Sequence, residues 1–410
     1  MSDQPIDLDL PWCFTDEHRA WRKSLREFCE REIAPTAAQR NIEARFDAGL
    51  MSSLGDLGVY GLLTGRSSGE MAGDMRSFCL TIEELARVDS GVAVTVHVQA
   101  IAATLFEHLA SAEQRRELLP GMASGSTFIS FGLTEPTGGS DAGNIGTTAE
   151  PRDGGWVING AKQFITNSGT PFSRSIILFA ATPGPRAPGS GPAQPAGTPR
   201  TPGRRGRPPV SAFLVPLDAP GVTVGPSYPK LGWRTSDTHP LYFDDVEVPD
   251  SALLGEEGRG YGEALRFLTW ARLPIASMSV GLAQGCLEET LAFVGSRTSF
   301  NQPLGSLQGV AFQVADIAAK TATARTLAYD AAWRYDHGHP YDQEAAICKL
   351  MASELANQVA YTATQLHGGY GFMDDSAVTR HYADARILTI GEGTSEIQRL
   401  LIARSLGLPV

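Results

Sequence analysis

A chain of 410 residues is longer than one hydrophobic core usually covers, so two or three domains are expected. Its 42% hydrophobic and 19% charged residues suit a globular protein, and a net charge of −11 argues against a nucleic-acid surface or docking on anionic lipid, since both need a basic face. The five cysteines, Cys13, Cys29, Cys79, Cys286 and Cys348, lie far apart with no CxxC, which suggests neither a zinc cage nor a disulfide framework and fits a reducing cytoplasm.

The opening MSDQPIDLDL has acidic residues where a secretory signal needs basic ones, and no apolar run approaches membrane-spanning length. From Thr15 to Pro35, Thr15 reads as an N-cap with His18 three residues on, followed by Trp21, Leu25, Phe28 and Ile33 at near-helical spacing. Helical patterns continue through FCLTIEELARV and AEQRRELLPGMASG, so residues 1–126 are expected to be an all-helical domain.

Near Ser126 the texture changes. TFISFGLT, GWVINGAKQFIT, RSIILFAAT, SAFLVPL, GVTVG and LYFDDVEVP are short apolar runs bounded by Gly, Pro, Asn and Asp, which predict a mainly antiparallel sheet or barrel over residues 127–249. Between two of these strands lies a Pro/Gly-rich stretch, Pro183 to Pro209, whose composition prevents regular structure and predicts a long mobile loop. Arg200, Arg204, Arg205 and Arg207 make it locally basic, as either a solvated insertion or a docking arm for an acidic partner. Helical period returns over residues 250–410, where Val310, Val314, Ile317, Thr321, Ala324, Ala328 and Ala331 draw one stripe along a long helix. The fold class is α+β, with a sheet domain between helical ones.

No GxGxxG follows a strand, and GxxxxGK[ST], HExxH and GxSxG are absent, which removes support for a Rossmann dehydrogenase, a nucleotidase, a zincin and a serine hydrolase. The eight histidines are scattered, so no metal site is expected. What is present is a set of polar turns. Gly132 to Asn144 carries hydroxyls at Thr134, Thr137 and Ser140 and flexible backbone at Gly138 and Gly139, and can present donors to a pyrophosphate or to polar ring edges, or be structural only. Phe164 and Thr166, two residues apart on a strand, can line one face of a flat cofactor, although a half-buried sheet gives the same alternation.

Taken together, FGLTEPTGGSD, WVINGAKQFITNSG, LGWRTSDTHPLYFDDVEVP, RTSFNQPLGSLQ, QLHGGYGF and GEGTSEIQR resemble the acyl-CoA dehydrogenase family in order and spacing, from about Thr15 to Leu406. The resemblance implies a helical N-terminal domain, a middle β domain, a C-terminal four-helix bundle, non-covalent FAD and a homotetramer, or at least a dimer. It places Phe131, Leu133 and Thr134 along the flavin ring, Gly139 in the cofactor turn, and Ser140 at the pyrophosphate or the pantetheine arm. Phe164 and Thr166 would cover the other ring face. Arg297, Phe300 and Gln308 would reach the FAD of a neighbouring subunit, Gln365, Gly368 and Gly369 its adenosine half, and Thr394 and Glu396 would complete the cradle. The family often has a glutamine where Glu396 stands.

Ser395 with Gln398 three residues later reads as a capping box starting the last helix at about Glu396, which leaves Glu392 in the preceding loop. A carboxylate there can simply be eased by the helix dipole. The resemblance instead makes Glu392 the base that removes a thioester α-proton, helped by burial and by donors to the enolate-like oxygen. Some members carry this base about 120 residues earlier, before an arginine; here Ala271 precedes Arg272, leaving Glu392 as the good candidate. Arg272 is assigned to holding the active-site loop or the pantetheine, with an ordinary ion pair as the alternative. Gly391 and Gly393 flank the base at the substrate. Gly391 stands where members acting on straight chains are often aromatic, which suggests a roomier acyl pocket, or a glycine serving only the turn.

The expected reaction is FAD-dependent α,β-dehydrogenation of an acyl-CoA, with electrons passed to an electron-transfer flavoprotein or another acceptor. A thioester on an acyl or peptidyl carrier protein is a second possibility, motivated by the arginine-rich loop. A flavin oxidase, a flavin monooxygenase and a non-catalytic binding protein are the alternatives, and Glu392 counts against the latter two.

Overall fold

Short polar side chains fix most of the helix starts. In the computed structural model, which describes residues 9–65, 73–184 and 208–410, Thr15 and His18 form a reciprocal capping box at the head of α1 (Asp16–Phe28). A π-helical turn, Cys29–Ile33, leads into α2 (Ala34–Glu43). Asp47, Asp74 and Asp89 cap α3 (Ala48–Asp56), α4 (Met75–Val88) and α5 (Ser90–Leu109), each accepting from a backbone N–H of the first turn. A second capping box, Ser111 with Gln114, starts α6 (Ala112–Ser124), and Gly125 ends it at φ 76°. The first third of the chain is helical, as the patterning predicts.

The α5 segment overturns one expectation. Its 20 residues, with a mean hydropathy of 1.3, are long and apolar enough to cross a membrane, but 83% of that window is buried inside the protein. The apolarity serves the core: α5 lies between the other N-terminal helices and the sheet, so every side of it meets protein.

Among the described residues, eight strands form the middle sheet: β1 (Phe128–Gly132), β2 (Thr148–Arg152), β3 (Gly155–Thr166), β4 (Ser173–Ala181), β5 (Val210–Pro216), β6 (Val222–Val224), β7 (Thr238–Pro249) and β8 (Leu253–Leu254). Their order is β6-β7-β3-β2-β4-β5-β8, with β1 paired to β4. The sheet is mainly antiparallel, but β4 runs parallel to β1 and to β2, and β8 carries the sheet past Pro249. From Ser175 onward β4 is buried without interruption, because α5 and α6 cover one face of the sheet and its own strands close over the other. Ala181 at the end of β4 pairs with Val210 at the start of β5, so the arginine-rich stretch joins two neighbouring strands; its residues 185–207 lie outside the described residues.

The C-terminal helices are α7 (Gly260–Ser296), α8 (Gln308–Asp336), α9 (Asp342–His367), α10 (Ala377–Leu388) and α11 (Ser395–Ser405), with a two-stranded β9 (Thr298–Ser299) and β10 (Gln302–Pro303) between α7 and α8. Helices α7 to α10 pack as a bundle, and α4 lies against α7, so the outer domains share one core through Phe78, Trp270 and Tyr329. The predicted stripe on α8 is buried from Ile317 to Ala331 and half-buried at Val310 and Val314. Glu83 and Glu84, buried on α4, accept from Arg22, Arg26, Arg87, Arg325 and Tyr329 and tie α1, α4 and α8 together.

Candidate active site

After α10, the N–H of Gly391 returns to the carbonyl of Ile387 at 2.8 Å. Glu392 and Gly393 then take left-handed backbone, φ 53° and 87°. The bend is sterically demanding for Glu392 and costs on the order of 1 kcal/mol. A side chain at Gly393 would also lie 2.7 Å from the Gln398 amide, so glycine is required there.

The cap differs from the sequence reading. Thr394, not Ser395, is the N-cap: it is extended (φ −60°, ψ 164°) and accepts from the Ile397 N–H at 3.3 Å, so Ser395 is already helical and its buried hydroxyl takes no partner. Gln398 is thereby freed from capping. Its amide donates to the carbonyls of Glu392 (3.2 Å) and Gly393 (2.9 Å), and Lys349 of α9 donates to the same Gly393 carbonyl at 2.7 Å. Two donors from two helices thus pin the backbone that immediately follows the Glu392 side chain.

The Glu392 carboxylate is bound by neither of them. It is 19% exposed, its Oε2 has no hydrogen-bond partner among the described residues, and Oε1 lies 3.8 Å from Nε2 of His97 on α5. Burial pushes its pKa above the usual carboxylate value, against the pull of Lys349 and Arg272. Among the described residues the Glu392 N–H has no acceptor either. Arg272, buried on α7, donates to Thr269 and forms no ion pair among the described residues.

The sheet meets this loop across α5. Asn167, just past β3, donates to the Thr95 carbonyl of α5, and Gln99 bonds Thr127 and Ile129 at the start of β1. Beyond β1, Glu135 accepts from Gly146, Thr147 and Lys162, and Lys162 also donates to Leu133, which closes the Gly132–Asn144 turn onto β3. At the other rim, β3 bulges between Lys162 and Ile165, with Phe164 at φ 61°. That turns Phe164 outward, 59% exposed beside Tyr228, while Thr166 is half-buried. Leu133 is buried and Phe131 packs on Phe179, so this strand offers a ligand chiefly the Thr134 side chain and its backbone.

These residues suit a flavin nucleotide. The hydroxyls of Thr134, Ser140 and Thr166 have no partner among the described residues, an aromatic ring stands exposed beside them, and a side chain at Gly139 would meet nothing within 4 Å. Open hydroxyls for polar ring edges and phosphate, an uncovered aromatic face and unobstructed backbone are the donor set such a group needs.

A second cluster lies elsewhere. Arg297 is 25 residues beyond Arg272 on α7, roughly 35 Å along the axis at about 1.5 Å per residue. There Arg297 stands over Tyr370, 5.6 Å from its ring centroid, next to the exposed Gly368 and Gly369 turn that ends α9. Phe300 is 83% exposed, and Gln308 and Gln365 are also at the surface. Glu396 is 80% exposed on the first turn of α11, and the Thr394 hydroxyl is engaged in capping.

Family comparison decides what this arrangement belongs to. The models of the acyl-CoA dehydrogenase N-terminal, middle and C-terminal domains match residues 15–126, 130–246 and 258–407. The chain belongs to the acyl-CoA dehydrogenase family. A probable acyl-CoA dehydrogenase of Bacillus subtilis is 37% identical over 394 residues, covering 96% of this chain and 98% of the relative. Butyryl-CoA dehydrogenase from Megasphaera elsdenii superposes with a TM-score of 0.87 at 33% identity, covering 97% and 99% of the two chains. A chain from a structural study of the electron-transferring flavoprotein of Acidaminococcus fermentans matches at 0.87 and 32%, with the same coverage. This acyl-CoA dehydrogenase is a flavoprotein oxidoreductase acting on CH–CH bonds, with FAD as cofactor and an acyl-CoA as substrate.

Two groups at the loop escaped the sequence reading, His97 and Lys349, and Gln398 was read only as a capping partner. His97 and Lys349 are each a polar residue in a helical pattern, which ordinarily signals a solvated or satisfied side chain. The one available hint was His97 inside the otherwise apolar VTVHV.

Proposed function

We propose that Glu392 is the base that abstracts the substrate α-proton. The observation that carries this reading is a mostly buried carboxylate, unbonded among the described residues, on a backbone pinned from two helices. Burial raises its affinity for a proton, and the free Glu392 N–H is available to the thioester oxygen as negative charge develops there. Phe164, Thr166, Thr134 and Ser140 would hold FAD, which when bound accepts the β-hydrogen as hydride. The α-proton stays on Glu392, and the product is the trans-2-enoyl thioester. Arg272, buried beside the loop, orients substrate or loop.

The surface cluster at Arg297, Phe300, Gln308, Gln365, Gly368 and Gly369 supports assembly as a homodimer or homotetramer. It lies too far along α7 to serve the site of its own chain, and it exposes the aromatic rings of Phe300, Tyr370 and Phe372. An electron-transfer flavoprotein is the acceptor we assign, supported by the match to a chain studied with that protein. A carrier-protein thioester remains a proposal resting on Arg200, Arg204, Arg205 and Arg207; carrier-bound turnover unchanged by deletion of residues 184–208 would remove it. The five cysteines are all free and buried, which supports a cytoplasmic protein.

The test is anaerobic mixing of FAD-loaded protein with acyl-CoA and acyl-carrier thioesters while the flavin absorbance is followed. Bleaching is expected with at least one thioester and is expected to be lost in Glu392→Gln; a variant that bleaches as fast as wild type rejects the base.

A further inference from the structure

Of the polar groups on the sheet-facing part of α5, two are satisfied: Gln99 bonds Thr127 and Ile129, and the Thr95 hydroxyl donates back to Gly91. His97 lies between them, fully buried, and neither ring nitrogen has a partner among the described residues. Two imidazoles at the C-terminal ends of helices behave differently, whereas His381, buried on α10, likewise leaves Nδ1 without a partner among the described residues. Nδ1 of His367 bonds the carbonyl four residues back at 2.8 Å, and Nδ1 of His337 does the same. That is the usual way a helix accommodates a histidine, and His97 forgoes it.

A neutral imidazole carries one N–H and one lone pair, so a buried one needs at least one acceptor. The acceptor facing His97 is Oε1 of Glu392 at 3.8 Å, and the other Glu392 oxygen is itself unpartnered. The charged groups facing Glu392 are Arg272 from α7 and Lys349 from α9, and both spend a donor elsewhere, on Thr269 and on the Gly393 carbonyl. A rotation of either side chain that shortens the 3.8 Å gap by about 1 Å would complete a charge-assisted bond.

We propose that His97 is a positioning residue for Glu392: its Nε2–H donates to the carboxylate, holds it ionised and parks it against α5 until a thioester draws it to the α-carbon. The inference rests on Glu392 being the base of the reaction. It gives a function to an imidazole that burial keeps neutral, with its pKa drawn down to about 3, so that it can only donate a neutral N–H and cannot compete as an acid. Sharing that N–H favours the carboxylate over the carboxylic acid and partly offsets the burial of Glu392.

The experiment follows the Glu392 carboxyl directly. In FAD-loaded full-length protein, difference infrared titration isolates the protonated-carboxyl band that Glu392→Gln lacks, and the pH profile of anaerobic flavin bleaching is recorded alongside. In His97→Leu the carboxyl midpoint should rise by about one pH unit, with the acid limb of bleaching moving by the same amount. His97→Gln keeps an N–H near the same place and should stay close to wild type. A purely packing role predicts no shift in either variant, and an unchanged midpoint in His97→Leu overturns the proposal. If His97→Leu does not fold, His97→Ala against His97→Gln makes the same comparison. Should Glu392→Gln bleach at the wild-type rate, the base assignment fails, while the infrared midpoint still decides whether His97 and Glu392 are bonded.

Discussion

Lys349, in the second turn of α9, donates from Nζ to the carbonyl of Gly393 at 2.7 Å, next to the carboxylate-bearing residue of the loop. The side chain is fully buried, and burial draws its pKa down to about 8 while Glu392 pulls the other way. It therefore steadies the loop by a hydrogen bond and the Glu392 carboxylate by charge. Lys349→Met should lose both. A buried hydrogen bond to a charged group contributes about 1.5–3 kcal/mol, so turnover should fall roughly ten-fold or more, with protein still folded by circular dichroism. Wild-type turnover in this variant would mean that Gln398 alone suffices to hold Gly393.

The direction of the Glu392 shift fixes a pH dependence. The base acts only when ionised, and burial raises its pKa above the model-peptide value of about 4.3. Activity should therefore be complete well above that value and be lost as pH falls through the raised one. Stopped-flow flavin bleaching across pH should show an acid limb centred above the ordinary glutamate value. A limb at the ordinary glutamate value would indicate a solvated carboxylate.

Gly391 is not forced on the loop by its backbone. A side chain there would make ordinary contact with Ile387 at 3.6 and 3.9 Å, and its φ is not left-handed. The turn therefore tolerates a larger residue, which favours the reading that the glycine leaves acyl space open. Gly391→Tyr should lower kcat/KM for branched or cyclic acyl-CoAs about ten-fold more than for butyryl- to octanoyl-CoA, a ratio within reach of 1–3 kcal/mol of steric discrimination. A uniform loss across the panel would assign Gly391 to the turn alone.

The Glu135 and Lys162 pair tests the cofactor side. Both are buried, 2.8 Å apart, and Glu135 also accepts the Gly146 and Thr147 N–H groups. Glu135→Ala leaves an uncompensated buried ammonium and two unpaired amides, so a stability loss of about 3–5 kcal/mol is expected. The milder Lys162→Met should keep the fold, loosen the Gly132–Asn144 turn, and release FAD more readily on dilution. Melting curves and bound-flavin absorbance would separate the two effects.

Much of the architecture was legible because it depends on local pattern. The helix, strand, helix order follows from a hydrophobic period that changes near Ser126 and again near Pro249, and the Thr15 and His18 cap lies within four residues. What was misread also has local causes. Ser395 carries the right residue type for a cap, but Thr394, one position earlier, has the extended backbone that aims its hydroxyl at Ile397. The expectation that no apolar run approaches membrane-spanning length failed at α5, whose apolarity reflects how many of its faces are covered, which a residue pattern does not say. The bulge that turns Phe164 outward breaks the period of two that a strand reading assumes.

By itself the sequence determined the order of elements, the family and the candidate base, since each is carried by residue types at short spacing. Only the tertiary structure decided what surrounds that base. His97, Lys349 and Gln398 reach one loop from three helices, 295 positions apart for His97 and Glu392, and no local propensity encodes that meeting. It arises because α5 and α9 are buried by apolar faces, and a lone polar side chain carried into that interior must find its partner wherever the packing brings one.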